Sequence, residues 1–285
     1  MIGMWPRRAL LGVGLAMALF ALLVSQLPGI GAGALLHPMR RRVGVPPPAG
    51  CESVTFQAEI GRLIGWRCPA SGPRRGSVVY LHGVADNRAS SAGVISRYAR
   101  LGFDAVAFDS RAHGDSDGEF CTYGYFETED LRRVLDTLAA GPVVLIGTSL
   151  GAAVALQHAA RDPRVTALVA AEPFADLRTI AIERAPVVLN GWLIERALQH
   201  AERIASFSVD AVNPAAAARL ITVPTLIVHG DADTDTRPEH ARRVYDALSG
   251  PKRLLLVPGA RHNESLRGEV WREIDEWIVT APTSW

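Results

Sequence analysis

Three residue types with a shared chemistry occur in a telling order along the chain: Ser149, Asp233 and His262. Ser149 sits in Gly147-Thr148-Ser149-Leu150-Gly151, after the apolar run 143–146 (VVLI) and before the helix-forming run 152–156 (AAVAL). A strand, a sharp turn and a helix would push a serine hydroxyl clear of a sheet, and the flanking glycines leave room for that turn. Such a hydroxyl is a poor nucleophile until a positioned imidazole takes its proton, and the imidazole needs a carboxylate to fix its tautomer. The chemistry that follows is attack on an acyl carbonyl, with the acyl group held for a time on Ser149. The plain alternative for Ser149 is a glycine-flanked serine capping a helix.

The partners should lie later in the chain, each just after a strand. Asp233 follows the run 225–228 (TLIV) and the turn Gly230-Asp231-Ala232, and a helix is expected to open at Pro238. Asp231 and Asp235 lie within two residues of it and compete as turn or capping groups. His262 follows the run 254–257 (LLLV) and Pro258-Gly259. Seven other histidines exist, and His262 alone combines this order with this position. An oxyanion needs two amide donors, and the sequence offers Leu150 after the nucleophile and Val84 in the loop His82-Gly83-Val84 after the run 77–81. His82 reads as a support for that loop. None of this chemistry calls for a metal or an organic cofactor.

These groups require a scaffold. Apolar runs at 77–81, 105–108, 143–146, 225–228 and 254–257, with a weaker one at 167–170, alternate with helical periodicity. That is the pattern of a mostly parallel sheet covered by helices. Val94, Tyr98 and Leu101 before Gly102, and Leu131, Val134, Leu135 and Leu138 before Gly141, predict two helices with glycine stops. Runs 53–57 and 63–68 around Gly61 predict an antiparallel hairpin at the sheet edge. Residues 174–210 read as a short helical lid above the carboxyl ends of the strands, rich in Ile180, Ile182, Val187, Val188, Leu189, Trp192, Leu193 and Ile194.

Ahead of this domain, residues 9–27 (ALLGVGLAMALFALLVSQL) carry no charge, and uncharged sequence continues to Leu36. About 20 such residues cross a hydrocarbon core. Arg7 and Arg8 precede the run and Arg40, Arg41 and Arg42 follow it, so charge leaves the orientation open. The reading is a single-pass anchor, with cleavage near Ala32-Gly33-Ala34 and secretion as the alternative. Residues 1–50, including the Pro46-Pro47-Pro48 spacer, form the appendage, and 51–285 the catalytic domain.

Composition agrees. Hydrophobic residues make up 48% and charged ones 21%, which suits a large core, and 30 basic against 29 acidic residues leave +1, too little for a nucleic-acid surface. Three cysteines, Cys51, Cys68 and Cys121, permit one disulfide and build no zinc motif.

With Asp109-Ser110-Arg111-Ala112-His113-Gly114-Asp115-Ser116, Glu172-Pro173-Phe174 and the segments 224–233 and 258–262, the motifs resemble the bacterial α/β-hydrolase family described as serine aminopeptidase-like or BEM46-like, over roughly residues 52–280. The resemblance implies the triad, carries Val84 and Leu150 as oxyanion donors, and fits an N-terminal anchor. Two positions depart from the family's pattern: Ala112 stands where glycine is commoner, and Thr148 where histidine or glutamate is frequent. Members include carboxylesterases, lipases, thioesterases and peptidases. The expected reaction is therefore hydrolysis of a carboxylic ester or thioester with an apolar acyl group, the substrate being a small molecule or a lipid. A peptidase, with Glu172 or Asp176 reading a substrate amine, is the nearest alternative, followed by a non-catalytic binding protein. Oligomeric state is not legible.

Overall fold

A computed structural model describes residues 5–187 and 189–280; Val188 of the expected lid lies outside the described residues. The sheet is built from β1 (Glu52–Ala58), β2 (Gly61–Cys68), β3 (Gly76–Leu81), β4 (Phe103–Phe108), β5 (Val143–Thr148), β6 (Val165–Ala171), β7 (Thr225–Gly230) and β8 (Lys252–Val257). The helices are α1 (Trp5–Leu36), α2 (Ala92–Arg100), α3 (Glu127–Leu135), α4 (Leu150–Ala159), α5 (Leu177–Arg184), α6 (Gly191–Ala205), α7 (Pro214–Ala218), α8 (Pro238–Ala247) and α9 (Val270–Thr280).

Strand order is β1-β2-β4-β3-β5-β6-β7-β8. From β4 to β8 every pairing is parallel, while β1 and β2 form the expected antiparallel hairpin at one edge. The central strands β3, β5 and β7 are buried along their whole length, which is why they read as continuous apolar runs with no alternation. Two core layers cover the faces. One gathers Leu145, Val154, Leu156, Leu168 and Val244 with α3, α4 and α8; the other gathers Val78, Tyr98, Ile146, Val169 and Ile274 with α2 and α9. A disulfide joins Cys51 to Cys68 across the base of the edge hairpin, and Cys121 is free and buried.

Helix α3 ends at Leu135, six residues short of the glycine expected to stop it. Gly141, at φ 132°, instead turns the chain into β5. A larger difference concerns α1. The apolar run continues through Pro28 as one helix of 32 residues, and its last turns join the folded domain, which the sequence reading began near residue 51. Ala32 and Leu36 are fully buried in a third core, with Phe174, Leu177, Ile180, Leu198 and Phe207 of the lid region. Gly31 makes the approach close: a β-carbon there would lie 2.9 Å from that of Ala197 on α6. The carbonyls that end every helix without intrahelical partners are satisfied here from the domain. The Tyr123 hydroxyl donates to the Leu35 carbonyl (3.1 Å) and the Cys121 amide to that of Leu36 (2.9 Å). Upstream, Leu11, Leu15, Leu19, Leu22 and Leu23 are exposed, and the segment Leu11–Leu36 is long and apolar enough to cross a membrane or to serve as a signal sequence.

Candidate active site

The turn from β5 into α4 places Ser149 at φ 50° and ψ −113°, a left-handed conformation that costs a non-glycine residue of order 1–3 kcal/mol. The neighbours allow it only because they lack side chains. A β-carbon at Gly147 would lie 2.3 Å from the Gly151 carbonyl oxygen, and one at Gly151 would lie 2.1 Å from that of Leu81. Although Ser149 precedes α4, its hydroxyl makes no capping hydrogen bond. It faces His262, with Oγ 3.0 Å from Nε2.

His262 stands in the loop after β8, and its Nδ1 lies 2.7 Å from Oδ2 of Asp233, in the loop after β7. With a proton on Nδ1, Nε2 is left as the acceptor that a serine hydroxyl requires. Asp233 is buried. Burial alone would raise its pKa, but His229, His262 and the Thr236 amide hold the carboxyl well below the usual carboxylate range, so it is ionised. Its Oδ1 accepts from the Asp235 and Thr236 amides at 2.9 Å each. The two rival aspartates face elsewhere: Asp231 accepts from the Gly259 amide (2.6 Å), and Asp235 meets Asp233 through its backbone.

The loops are fixed from below. Glu172, fully buried and at φ 54°, accepts from the Asn263 amide (2.6 Å) and the Ser265 amide (3.0 Å), which clamps the turn that carries His262. His82 donates from Nδ1 to the Gly83 carbonyl (2.7 Å) and accepts the Ser110 amide on Nε2 (3.0 Å). It supports the Val84 loop, in line with the sequence reading. Burial lowers the pKa of His82 and pushes that of His113, its ring neighbour, down to about 4. Asp109 holds the same loop system through the Arg88 guanidinium and the amides of Arg88 and Asp115. Glu172, Asp233 and His262 are the one group of metal-ligand type found among the described residues. Their lone pairs are committed to one another and to backbone amides, a relay geometry and not a metal cage.

Ser149 opens onto a cavity of about 280 Å³ that is also lined by Val84, Leu150, Phe174, Leu177, Ile180, Ile194 and Leu198. Among the described residues Arg184 is the one charged residue lining it, with its guanidinium 3.5 Å from Nε2 of His262. Val84 and Leu150 therefore border the space where a carbonyl held against Ser149 would sit, and the Leu150 amide begins α4, whose N-terminal end favours negative charge. Three more lining residues come from α1: Gly31, Ala34 and Leu35. The sequence reading assigned that helix to a membrane anchor or a cleaved signal and gave it no part in the site. Its signal was surplus length, since 32 helical residues exceed the roughly 20 that a bilayer needs.

The two acids considered as amine readers are otherwise occupied. Glu172 holds the His262 loop, and Asp176 caps α5 through the Thr179 amide (2.8 Å) and pairs with Arg243 (2.8 Å).

Comparison with known proteins agrees with this architecture. The chain is 29% identical over 276 residues to YfhR of Escherichia coli K12, an uncharacterized protein, covering 92% of each. It is 26% identical over 249 residues to a monoacylglycerol lipase of Mycolicibacterium smegmatis, covering 72% of this chain and 89% of the relative. Among solved structures, the Pyrococcus furiosus esterase Pf2001 superposes with a TM-score of 0.68 at 23% identity, over 86% of this chain and 99% of that one. The family model for the alpha/beta hydrolase fold matches residues 76–219, from the first parallel strand past the turn at Ser149 and through the lid, and the chain accordingly belongs to the α/β-hydrolase family.

Proposed function

We propose that the chain is a hydrolase that cleaves a carboxylic ester or thioester with an apolar acyl group through an acyl-Ser149 intermediate. One observation carries the reading: Oγ of Ser149, the His262 ring and the Asp233 carboxylate form a continuous relay with contacts of 3.0 and 2.7 Å at the mouth of an apolar cavity. The esterase and lipase among the similar proteins favour the same class of reaction.

The steps follow from the groups present. As Oγ bonds to the carbonyl carbon, its proton passes to Nε2 of His262, and Asp233 stabilises the imidazolium that results. The carbonyl oxygen becomes an oxyanion and accepts from the amides of Leu150 and Val84. Collapse breaks the bond to the alcohol or thiol, which leaves with the proton from Nε2. Water then gives a proton to Nε2 and its oxygen attacks the acyl carbon. The second tetrahedral intermediate releases the carboxylic acid and returns the proton to Ser149. These groups and water complete the cycle without a cofactor.

A peptidase would use the same relay, but among the described residues that line the cavity none is an acid free to bind a substrate amine. Its lining is mostly apolar, with Ser149, Tyr123 and Arg184 as the polar residues among those described, which favours an uncharged acyl chain. The exposed part of α1 supports a membrane anchor that would hold the site near lipid.

A fluorophosphonate probe tests the nucleophile. Wild type should become labelled and Ser149→Ala should not; equal labelling of both would remove Ser149 from the mechanism. Turnover of an ester series then tests the acyl preference.

A further inference from the structure

The cavity beside Ser149 has a wall that belongs neither to the sheet nor to the lid. Gly31, Ala34 and Leu35 of α1 line it together with Ala197 and Leu198 of α6. The helix is fixed there by four kinds of contact. Ala32 and Leu36 are fully buried in a core shared with the lid region. Gly31 lets α1 lie directly on α6 at Ala197. The carbonyls of Leu35 and Leu36 take bonds from Tyr123 and Cys121. Beyond the helix, the Arg40 guanidinium donates to the carbonyls of Ser116 (3.1 Å) and Gly118 (2.6 Å).

We infer that the last turns of α1 form a wall of the acyl pocket, so that this helix stays on the working enzyme and helps set which acyl chains Ser149 accepts. The inference rests on the acyl-hydrolase reading above and adds to it the substrate class. A cavity of about 280 Å³ lies just below the roughly 300–1,000 Å³ usual for ligand pockets, which suits one flexible acyl chain. The substrate is then a single-chain lipid ester or thioester. The same helix that closes the pocket carries exposed Leu22, Leu23 and Ile30 upstream, an apolar surface suited to the phase in which such chains dissolve. Cleavage near Ala32-Gly33-Ala34 would strip Gly31 from the cavity and remove its close approach to Ala197 on α6.

Two substitutions should move chain-length preference in opposite directions. Ala34→Phe fills the wall, and Leu35→Ala recesses it. Ile30→Phe, on a residue that is 66% exposed and outside the cavity lining, is the control. The full-length protein in detergent micelles is given p-nitrophenyl esters from acetyl to dodecanoyl, and the ratio of kcat/KM for the longest to the shortest is read. Ala34→Phe should lower that ratio roughly tenfold or more, the scale on which an apolar pocket discriminates by one methylene. Leu35→Ala should raise it, and Ile30→Phe should leave it unchanged. Ratios that stay at the wild-type value in both wall variants would overturn the inference. If Ala34→Phe fails to fold, judged by loss of fluorophosphonate labelling, Leu35→Ala decides alone. The intact mass of the protein purified from membranes must include Gly31, and a mature chain beginning at residue 33, 34 or 35 would also overturn it. Wild type that is neither labelled nor active on any ester would sink the hydrolase reading along with this one. Labelled, active wild type with unmoved ratios would sink this one only.

Discussion

The floor and the roof of the cavity are built by different physics. Below the substrate position, Ser149, Asp233, His262 and Glu172 are seated by short polar contacts from loops at the ends of β5, β6, β7 and β8, and nearly every lone pair has a named partner. Above it, α1, α5 and α6 meet through apolar side chains, and part of this region stays open to solvent, with Trp192 of α6 63% exposed and Val187, between α5 and α6, fully exposed. A polar floor tolerates little displacement, because a hydrogen bond weakens steeply with angle and distance. An apolar roof can repack for a methylene at modest cost. Chemistry should therefore be all-or-none in the floor and graded in the roof.

The largest effect expected lies in the floor. Asp233→Asn keeps the shape but loses the charge that fixes the His262 tautomer, a change worth about four orders of magnitude in turnover in a comparable triad. The loss should be the same factor for every acyl length. Asp231→Asn and Asp235→Asn should each stay within about tenfold of wild type, since neither carboxylate meets the imidazole. The opposite ranking would move the acid, and a loss that varies with acyl length would erase the distinction between floor and roof.

Next comes the pH response of the same region. His113 is buried beside His82, with its Nδ1 on the Arg111 carbonyl (2.8 Å) and a pKa pushed down to about 4 by burial and by that neighbour. Because the folded value lies below the unfolded one of about 6.5, the unfolded chain takes up the proton first as pH falls. Its contribution is thus fully present above about pH 6.5 and is lost down to about pH 4, by up to about 3 kcal/mol. Unfolding by denaturant at several pH values should give a shallower acid slope for His113→Asn than for wild type. Identical slopes would mean that another group, His82 first among them, controls the acid limit.

The two regions also differ in how far the sequence revealed them. The floor could be read because each part is local: Gly147 and Gly151 frame a turn, and Asp233 and His262 each follow an apolar strand. Their proposed roles came from order along the chain before any contact was known. Glu172 was noticed as either an amine reader or a loop cap, and which loop it holds could not be read, because its bonds to Asn263 and Ser265 span about ninety residues and leave no local pattern. In the roof, the apolar character of the lid was legible and its geometry was not. Leu and Ile at helical spacing look alike whether they face lipid, core or substrate. Gly31 and Ala34 illustrate the limit, being ordinary small residues of an apolar helix until α6 is laid against them.

A roof substitution should show the graded behaviour. Ile194→Ala trims a partly buried lining residue of α6 and should change the ratio of long-chain to short-chain turnover by roughly tenfold, about 1.4 kcal/mol, with a milder change in overall rate. If it instead lowered every ester equally, Ile194 would be holding the floor in place, and the division of labour would fail at that residue.

The smallest effect is expected where the floor departs from its family. Ala112 lies at φ 59°, a left-handed conformation that costs an alanine roughly 1–2 kcal/mol, and glycine would relieve that strain. Two terms oppose the gain. Glycine frees the unfolded chain by roughly 0.5–1 kcal/mol, and Ala112 is only 3% exposed, so its methyl gives up about 0.8 kcal/mol of burial. The three nearly cancel, and Ala112→Gly should fall within about 1 kcal/mol of wild type in denaturant unfolding, with the chain-length ratio unmoved. A loss well beyond that would mean the methyl is packed more tightly against the Asp109 to Ser116 loop than area alone implies. A gain of the full strain energy would mean that this stretch of the floor is loosely packed, more like the roof than the polar contacts around it indicate.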